Sequence, residues 1–267
     1  MKTRLNCILC QCDIEWNKPQ ENLDRYESFI RKAPPDSDLI IFPEMCLTGF
    51  VMDNDIRSFD PHGEEIERFT QMAAKYKIGI IAGLSVLENG KRYNRMQYFS
   101  PDGMSWHYDK QHLFRMGDEH LYYNAGNALD DLSPFCKNFH CEGWNIHPQI
   151  CYDLRFPESC RNHYRDGLFD YDCLLVIANW PQSRNAALRI LAKARAIENQ
   201  SYVIVVNRIG FDAKGVYHGG NSMVIDYKGN IINELPDEKE GMLETVLSYG
   251  PLQDFREAFP SYMDWNS

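Results

Sequence analysis

The stretch Ile146-His147-Pro148-Gln149-Ile150-Cys151-Tyr152-Asp153-Leu154-Arg155-Phe156-Pro157-Glu158 passes from an apolar strand into a helical segment, with a cysteine at the joint. A strand-to-helix turn this sharp exposes its side chain and leaves backbone N–H groups free to face a ligand, the arrangement of a nucleophile elbow. Cys151 is also compatible with a packing role, since free cysteine is among the most buried residue types. The segments on either side show what fold holds the turn.

Downstream of the strand 146–151, the periodicity predicts a helix over 157–166, a strand over 172–178, a helix over 183–200 capped by Ser183, and a central strand over 202–207. In the long helix Ala187, Ile190, Leu191, Ala194 and Ile197 are expected on the inner face. Further strands are expected over 221–226, 230–235 and 242–247, with Lys228-Gly229 as a turn. Upstream, strands 5–14, 38–42 and 78–87 alternate with helices 20–31 and 63–77. Ser100-Pro101-Asp102-Gly103 turns a hairpin between 95–99 and 104–108. Strand–helix alternation broken by hairpins predicts an α/β fold, mixed sheets packed between helix layers, in one domain over 1–249. The tail 250–267 carries Phe255, Phe259, Tyr262 and Trp265, too aromatic to be left in water. It either packs back on its own domain or crosses a subunit interface.

The 28 basic and 38 acidic side chains give a formal charge of −10. An acidic balance without a basic run argues against nucleic acid and anionic membrane as partners, because both need a positive footprint. No apolar stretch is long enough to span a bilayer. The N-terminal residues lack an apolar core before Gln11 and Asp13, so a cytoplasmic location is expected, where the nine cysteines stay reduced. Cys7, Cys10 and Cys12 fall on a strand that points residues 7 and 10 to opposite faces, which suits buried thiols rather than a metal or redox cluster. Cys136 and Cys141, near His140 and His147, lack the second pair a zinc site needs. Neither a metal nor a cofactor is expected.

Two other strand ends carry polar groups. Leu39-Ile40-Ile41-Phe42-Pro43-Glu44 stops at proline and presents a carboxylate, either a charge marking the strand end or a base. In Trp106-His107-Tyr108-Asp109-Lys110-Gln111-His112-Leu113-Phe114 the lysine either snorkels to the surface or serves a site. A thiol of ordinary pKa about 8.5 is mostly protonated at neutral pH, so a cysteine nucleophile needs a base or a cationic neighbour. Glu44 and Lys110 are those two kinds of group.

Taken in order, Phe42-Pro43-Glu44, Lys110-Gln111-His112-Leu113-Phe114 and Cys151-Tyr152-Asp153-Leu154-Arg155-Phe156-Pro157-Glu158 resemble the nitrilase superfamily of carbon–nitrogen hydrolases. The resemblance implies a four-layer α-β-β-α sandwich, a homodimer, and a Glu44–Lys110–Cys151 triad that hydrolyses non-peptide C–N bonds. It also implies that Glu119, nine residues after the lysine, holds Lys110. His112-Leu113-Phe114-Arg115-Met116, Ala178-Asn179-Trp180-Pro181 and Lys193-Ala194-Arg195-Ala196-Ile197-Glu198-Asn199-Gln200 are closest to the omega-amidase branch. That branch deamidates 2-oxoglutaramate and 2-oxosuccinamate. In the last segment Arg195 and Glu198 are compatible with a helix-surface pair.

The implied reaction has Cys151 attack an amide carbonyl after proton loss to Glu44, with Lys110 and the Tyr152 backbone N–H binding the oxyanion. An acidic protein that takes an anionic oxo-acid amide must supply a local positive group. Arg115 and Arg184 are the candidates by position, with Arg155 either structural or a third, and Asn179 and Trp180 are expected to line the pocket. A nitrile, an N-carbamoyl amine or another aliphatic amide remains an alternative substrate, and a non-catalytic binding module the alternative of a different class.

Overall fold

A computed structural model describes residues 2–126 and 138–264. The first half runs β1 Arg4–Gln11, α1 Pro19–Lys32, β2 Leu39–Ile41, α2 Glu64–Tyr76, β3 Gly79–Glu88, β4 Lys91–Phe99, β5 Ser105–Asp109 and the short α3 Glu119–Tyr122. β6 Phe139–Cys141, β7 Trp144–Ile150, β8 Tyr164–Arg165, β9 Leu168–Phe169, β10 Cys173–Ala178, α4 Asn185–Asn199 and β11 Tyr202–Asn207 follow. β12 Ile209–Phe211, β13 Tyr217–Gly219, β14 Met223–Ile225, β15 Ile231–Glu234, β16 Gly241–Ser248 and α5 Tyr249–Ala258 complete the order.

Two six-stranded sheets form, β16-β1-β2-β3-β4-β5 and β15-β14-β11-β10-β7-β6. Each has a parallel centre and antiparallel edges, β1–β2–β3 in the first and β7–β10–β11 in the second. Residue alternation along the strands separates the layers. Leu5, Cys7, Leu9, Leu39, Ile41 and Ile81 of the first sheet share one core with Ile146, Ile150, Leu175, Ile177 and Ile204 of the second. Their neighbours Ile8, Cys10, Ile40 and Ile80 face outward onto Leu23, Tyr26, Phe69 and Met72 of α1 and α2. Leu174, Val176, Val203 and Val205 face α4. The layers are therefore α-β-β-α, and the thiols of Cys7 and Cys10 lie on opposite faces of β1, buried in both cases.

Three local expectations are corrected. The helix expected over 157–166 is absent: two 3₁₀ turns, Cys151–Arg155 and Pro157–Cys160, lead into the β8–β9 hairpin. Asp166-Gly167 both sit at positive φ, 52° and 83°, the pattern of a type I′ turn, and this chemistry outweighs the weak helical period. α4 starts at Asn185 with Arg184 in the cap position, and Ser183 makes no cap bond. The inner face of α4 is centred on Leu188, Ala192 and Ala196, with the expected Ala187 and Leu191 packed at its margin, while Ile190 and Ile197 are 67% and 56% exposed. Small alanines let the helix axis sit close to the sheet, and the larger aliphatics point away from it.

The tail packs on its own chain. Leu252 is buried in the inter-sheet core with Phe255 against it, and Arg256 is buried beside the start of β10. Phe259 is exposed, Tyr262 is buried, and Trp265 lies outside the described residues.

Candidate functional site

Glu44 follows the apolar end of β2 and is fully buried. Its Oε1 accepts hydrogen bonds from Lys110 Nζ and from Asn94 Nδ2, both at 2.8 Å. Its Oε2 accepts from the backbone N–H of Asn179, just past β10, at 2.7 Å. Lys110 follows β5, and its backbone N–H donates to the Asn94 carbonyl at 2.9 Å. The ammonium also reaches the Glu119 carboxylate, at 3.1 Å to Oε1 and 3.0 Å to Oε2. Asn94 Nδ2 donates to Glu119 Oε1 at 2.8 Å, and Phe114 N–H donates to Oε2 at 2.7 Å. One ammonium and one amide thus bridge two buried carboxylates. Gly83 makes the arrangement possible, because a Cβ there would lie 2.5 Å from Glu44 Cα and 2.7 Å from the Pro43 carbonyl.

The electrostatics follow from burial and from this pairing. Burial alone pulls the Lys110 ammonium down, but Glu119, Glu44 and the neighbouring Cys151 outweigh it, so its pKa lies above the ordinary lysine value. Burial raises Glu119; Lys110 opposes that shift and the Glu44 charge adds to it. The Cys151 thiol is pushed well up, first by burial and then by the Glu44 charge, against the pull of Lys110 and of the Asn179 backbone. The resting thiol is protonated and faces a carboxylate that can take its proton.

Cys151 sits at the end of β7 with φ at 49°, a left-handed conformation that a side chain adopts only when the surroundings enforce it. Asp153 supplies much of that enforcement. Its Oδ2 accepts from Tyr108 Oη at 3.0 Å and from Ile150 N–H at 3.2 Å, and its Oδ1 accepts from His112 N–H at 2.8 Å. Arg195, buried within α4, donates from Nη1 to Glu198 at 2.9 Å and from Nη2 to the Leu154 carbonyl at 2.9 Å. The expected surface pair therefore also anchors the turn that presents the thiol.

Cys151, Glu44 and Lys110 meet in a cavity of about 350 Å³ that Tyr152, Asn179, Trp180 and Arg184 also line. Asn179 contributes its N–H to Glu44 Oε2, and Trp180 Nε1 donates to the Arg184 carbonyl at 2.9 Å. Arg115 is not brought in. It opens a 3₁₀ turn, Arg115–Gly117, is exposed, and borders a separate depression beside His112 and Phe156. The side chain of Phe114 takes the cavity wall, which leaves its successor facing out. Arg155 does line the cavity, with its guanidinium carbon 4.8 Å from the Trp180 ring centroid. Sequence reasoning missed Asn94 and missed Lys214 and His218 near the β12–β13 hairpin, which also line the cavity. An asparagine inside a buried strand was the one available hint, with nothing to say what it would face. Cys136 lies outside the described residues. Cys141 faces the inter-sheet core, and His147 Nε2 is 2.8 Å from the Ser159 carbonyl.

The description "carbon-nitrogen hydrolase" belongs to a family whose model matches residues 9–257. The chain belongs to the carbon-nitrogen hydrolase family. It is 37% identical to omega-amidase YafV of Escherichia coli (strain K12), over 97% of this chain and 96% of that protein. It is 33% identical to 2-oxoglutaramate amidase of Bacillus subtilis (strain 168), over 99% and 98%. Among solved structures, XC1258 of Xanthomonas campestris, a CN-hydrolase superfamily protein with an arsenic adduct in its active site, matches with a TM-score of 0.92 and 36% identity. That match covers 100% of this chain and 98% of the other. This carbon-nitrogen hydrolase is accordingly an amidohydrolase of non-peptide C–N bonds with the nitrilase-type sandwich. Among its described residues no helix is long and apolar enough to cross a membrane.

Proposed function

We propose that the protein is an omega-amidase that hydrolyses the terminal amide of a short 2-oxo-dicarboxylic acid monoamide, 2-oxoglutaramate or 2-oxosuccinamate. The observation that carries the reading is the convergence of Glu44 and Lys110 on the Cys151 turn in one cavity, with Glu119 buried behind the lysine. The full-length likeness to proteins named omega-amidase YafV and 2-oxoglutaramate amidase supports the substrate class.

Cys151 Sγ bonds to the amide carbon as its proton passes to Glu44. The oxygen gains the negative charge and is met by Lys110 Nζ and the Tyr152 backbone N–H. Glu44 then gives the proton to nitrogen, the C–N bond breaks, and ammonia leaves a thioester. Water loses a proton to Glu44 and attacks the same carbon; the C–S bond breaks, and Cys151 regains its proton as the acid departs. Glu119 holds Lys110 in place throughout, and Asn179 holds Glu44. The chain works on this small substrate in the cytoplasm as a homodimer, and the outward-facing Ile190 and Ile197 of α4 supply apolar surface for pairing.

The test is ammonia release from a panel of 2-oxoglutaramate, 2-oxosuccinamate, a nitrile and an N-carbamoyl amino acid, with Cys151→Ala as control. Preference for the oxo-acid amides with no release by the variant is expected. Unimpaired release by Cys151→Ala, or preference for the nitrile, would overturn the reading.

A further inference from the structure

We infer that Asn207 is a positioning residue for the catalytic base: its side-chain amide clamps the Trp180 peptide and so aims the Asn179 N–H at Glu44. The inference rests on the role given to Glu44 in the proposed reaction. Asn207 is the last residue of β11, opposite Ala178 at the end of β10, and it is buried. Its Oδ1 accepts the Trp180 backbone N–H at 2.8 Å, and its Nδ2 donates to the Trp180 carbonyl at 3.0 Å. One amide thus satisfies both backbone polar groups of one residue, as a strand partner would, two residues beyond the point where the pairing of β10 with β11 stops.

Asn179 lies between the two grips. Ala178 is held by the strand pairing and Trp180 by the clamp, so the N–H between them has a fixed direction, and it meets Glu44 Oε2 at 2.7 Å. Asn179 Nδ2 also donates to the Glu44 carbonyl. Asn207 itself does not line the cavity, and both of its amide protons are in use, the second on the Gly220 carbonyl at 2.8 Å. It therefore acts through other groups rather than on a substrate.

The bond to Gly220 brings in a further part of the cavity wall. Gly220 follows β13, and the β12–β13 hairpin carries Asp212, Lys214, Val216 and His218 to the cavity. Behind the clamp, Ser222 Oγ accepts the Asn207 N–H at 3.0 Å and donates to the Asn207 carbonyl at 3.1 Å, while the Ser222 N–H donates to Gln11 Oε1 at 2.9 Å. Gln11 ends β1, in the sheet whose β2 leads to Glu44, and its Nε2 donates to the carbonyls of Pro236 and Lys239, each at 2.9 Å. Gln11, Asn207 and Ser222 are all buried. A buried polar network whose bonds are made admits one arrangement of its members. Here that arrangement sets the Asn179 N–H against the base across the two sheets.

The experiment measures kcat, KM and the pH profile of kcat/KM, per mole of folded enzyme, for whichever amide of the panel is turned over fastest, in wild type, Asn207→Ala, Asn207→Gln, Arg256→Ala and Glu44→Gln. Asn207→Ala is expected to lower kcat by about 10- to 100-fold with KM changed by less than about threefold. It should also move the acid limb of the profile up by about one pH unit, because a carboxylate that loses an N–H donor holds its proton more tightly. Lys110, Glu119, Cys151 and Tyr123, the titratable groups whose charges act on or with Glu44, are the same in wild type and in both Asn207 variants. Asn207→Gln keeps every polar group but sets the amide one methylene farther out; it retains the bonds the fold needs and should show the same upward movement with about a tenfold loss in kcat. Arg256→Ala, which loosens the start of β10 rather than its end, should leave the acid limb in place. An acid limb unmoved in both Asn207 variants, or moved equally in Arg256→Ala, would overturn the clamp alone. Wild-type turnover in Glu44→Gln would overturn it together with the role given to the base.

Discussion

Cys151 combines a left-handed backbone, a thiol held protonated, and a carboxylate positioned to receive its proton. These features separate reactivity toward alkylating agents from turnover. Alkylation of the free enzyme by iodoacetamide needs the thiolate, so its rate should be low at neutral pH and climb toward tenfold per pH unit above it. Glu44→Gln removes the charge that raises the thiol and should shift that alkylation profile to lower pH, while costing about 10²–10⁴-fold in kcat because the base is gone. A profile that moves upward in the variant would contradict the assignment. Asn94→Ala leaves two buried carboxylates each short of a donor, about 1–3 kcal/mol, and kcat should fall with KM nearly unchanged. Glu44, Lys110 and Cys151 stand out in the chain as polar groups at strand ends, but each taken alone also suits a structural role, and only the resemblance of the three ordered motifs joins them as a triad. Asn94 does not stand out, since its partners come from segments 50 and 25 residues away. Gly83 is silent for the same reason: the backbone it must clear belongs to the Pro43-Glu44 segment that follows β2. Gly83→Ala should cost about 1–3 kcal/mol through overpacking, read as a lowered urea midpoint.

Elements are legible where an apolar run marks a strand buried on both faces, as in β10 and β11, and are obscured where turn chemistry or helix orientation prevails. In β1 the alternation of the backbone sends Leu9 to one layer and Ile8 to another. The inner face expected for α4 is right at its margin, where Ala187 and Leu191 pack on the core, and wrong for its larger aliphatics Ile190 and Ile197, which lie at the surface. The contribution of α5 could not be seen from aromatic content alone, since its anchor is a charge. Arg256 donates to the Gln200 carbonyl, to Asp172 Oδ1 and to the Tyr171 carbonyl, each at 3.0 Å, with Phe169 stacked on its guanidinium. Burial lowers its pKa and Asp172 opposes the shift. Arg256→Ala should destabilise the protein by about 3–5 kcal/mol, because Asp172 is left buried and unpaired, and chemical denaturation with the variant will show it.

The molecule as a whole places its chemistry between two sheets: Glu44 and Lys110 come from the first, Cys151 and Asn179 from the second. The layer order follows from strand and helix alternation, but which strand ends meet across the gap depends on long-range packing that no local pattern encodes. One pH effect also belongs to this scale. Burial first, then Arg208, depresses His218 from 6.5 to about 4, so the unfolded chain takes up this proton before the folded one. The resulting stability is present in full above pH 6.5 and is lost as pH falls toward 4. Thermal midpoints across that window should therefore drop less for His218→Gln than for wild type.

The hydrogen bond from the Asn179 backbone to Glu44 spans 135 residues, and β1 waits for β16 to close its free edge along Arg4↔Ser248 to Gln11↔Gly241. During synthesis the carboxylate emerges early and stays without that backbone donor until the second sheet has left the ribosome. A chain cut short before Gly241 is therefore expected to release no ammonia from the amide, even though it contains the thiol, the base and the lysine.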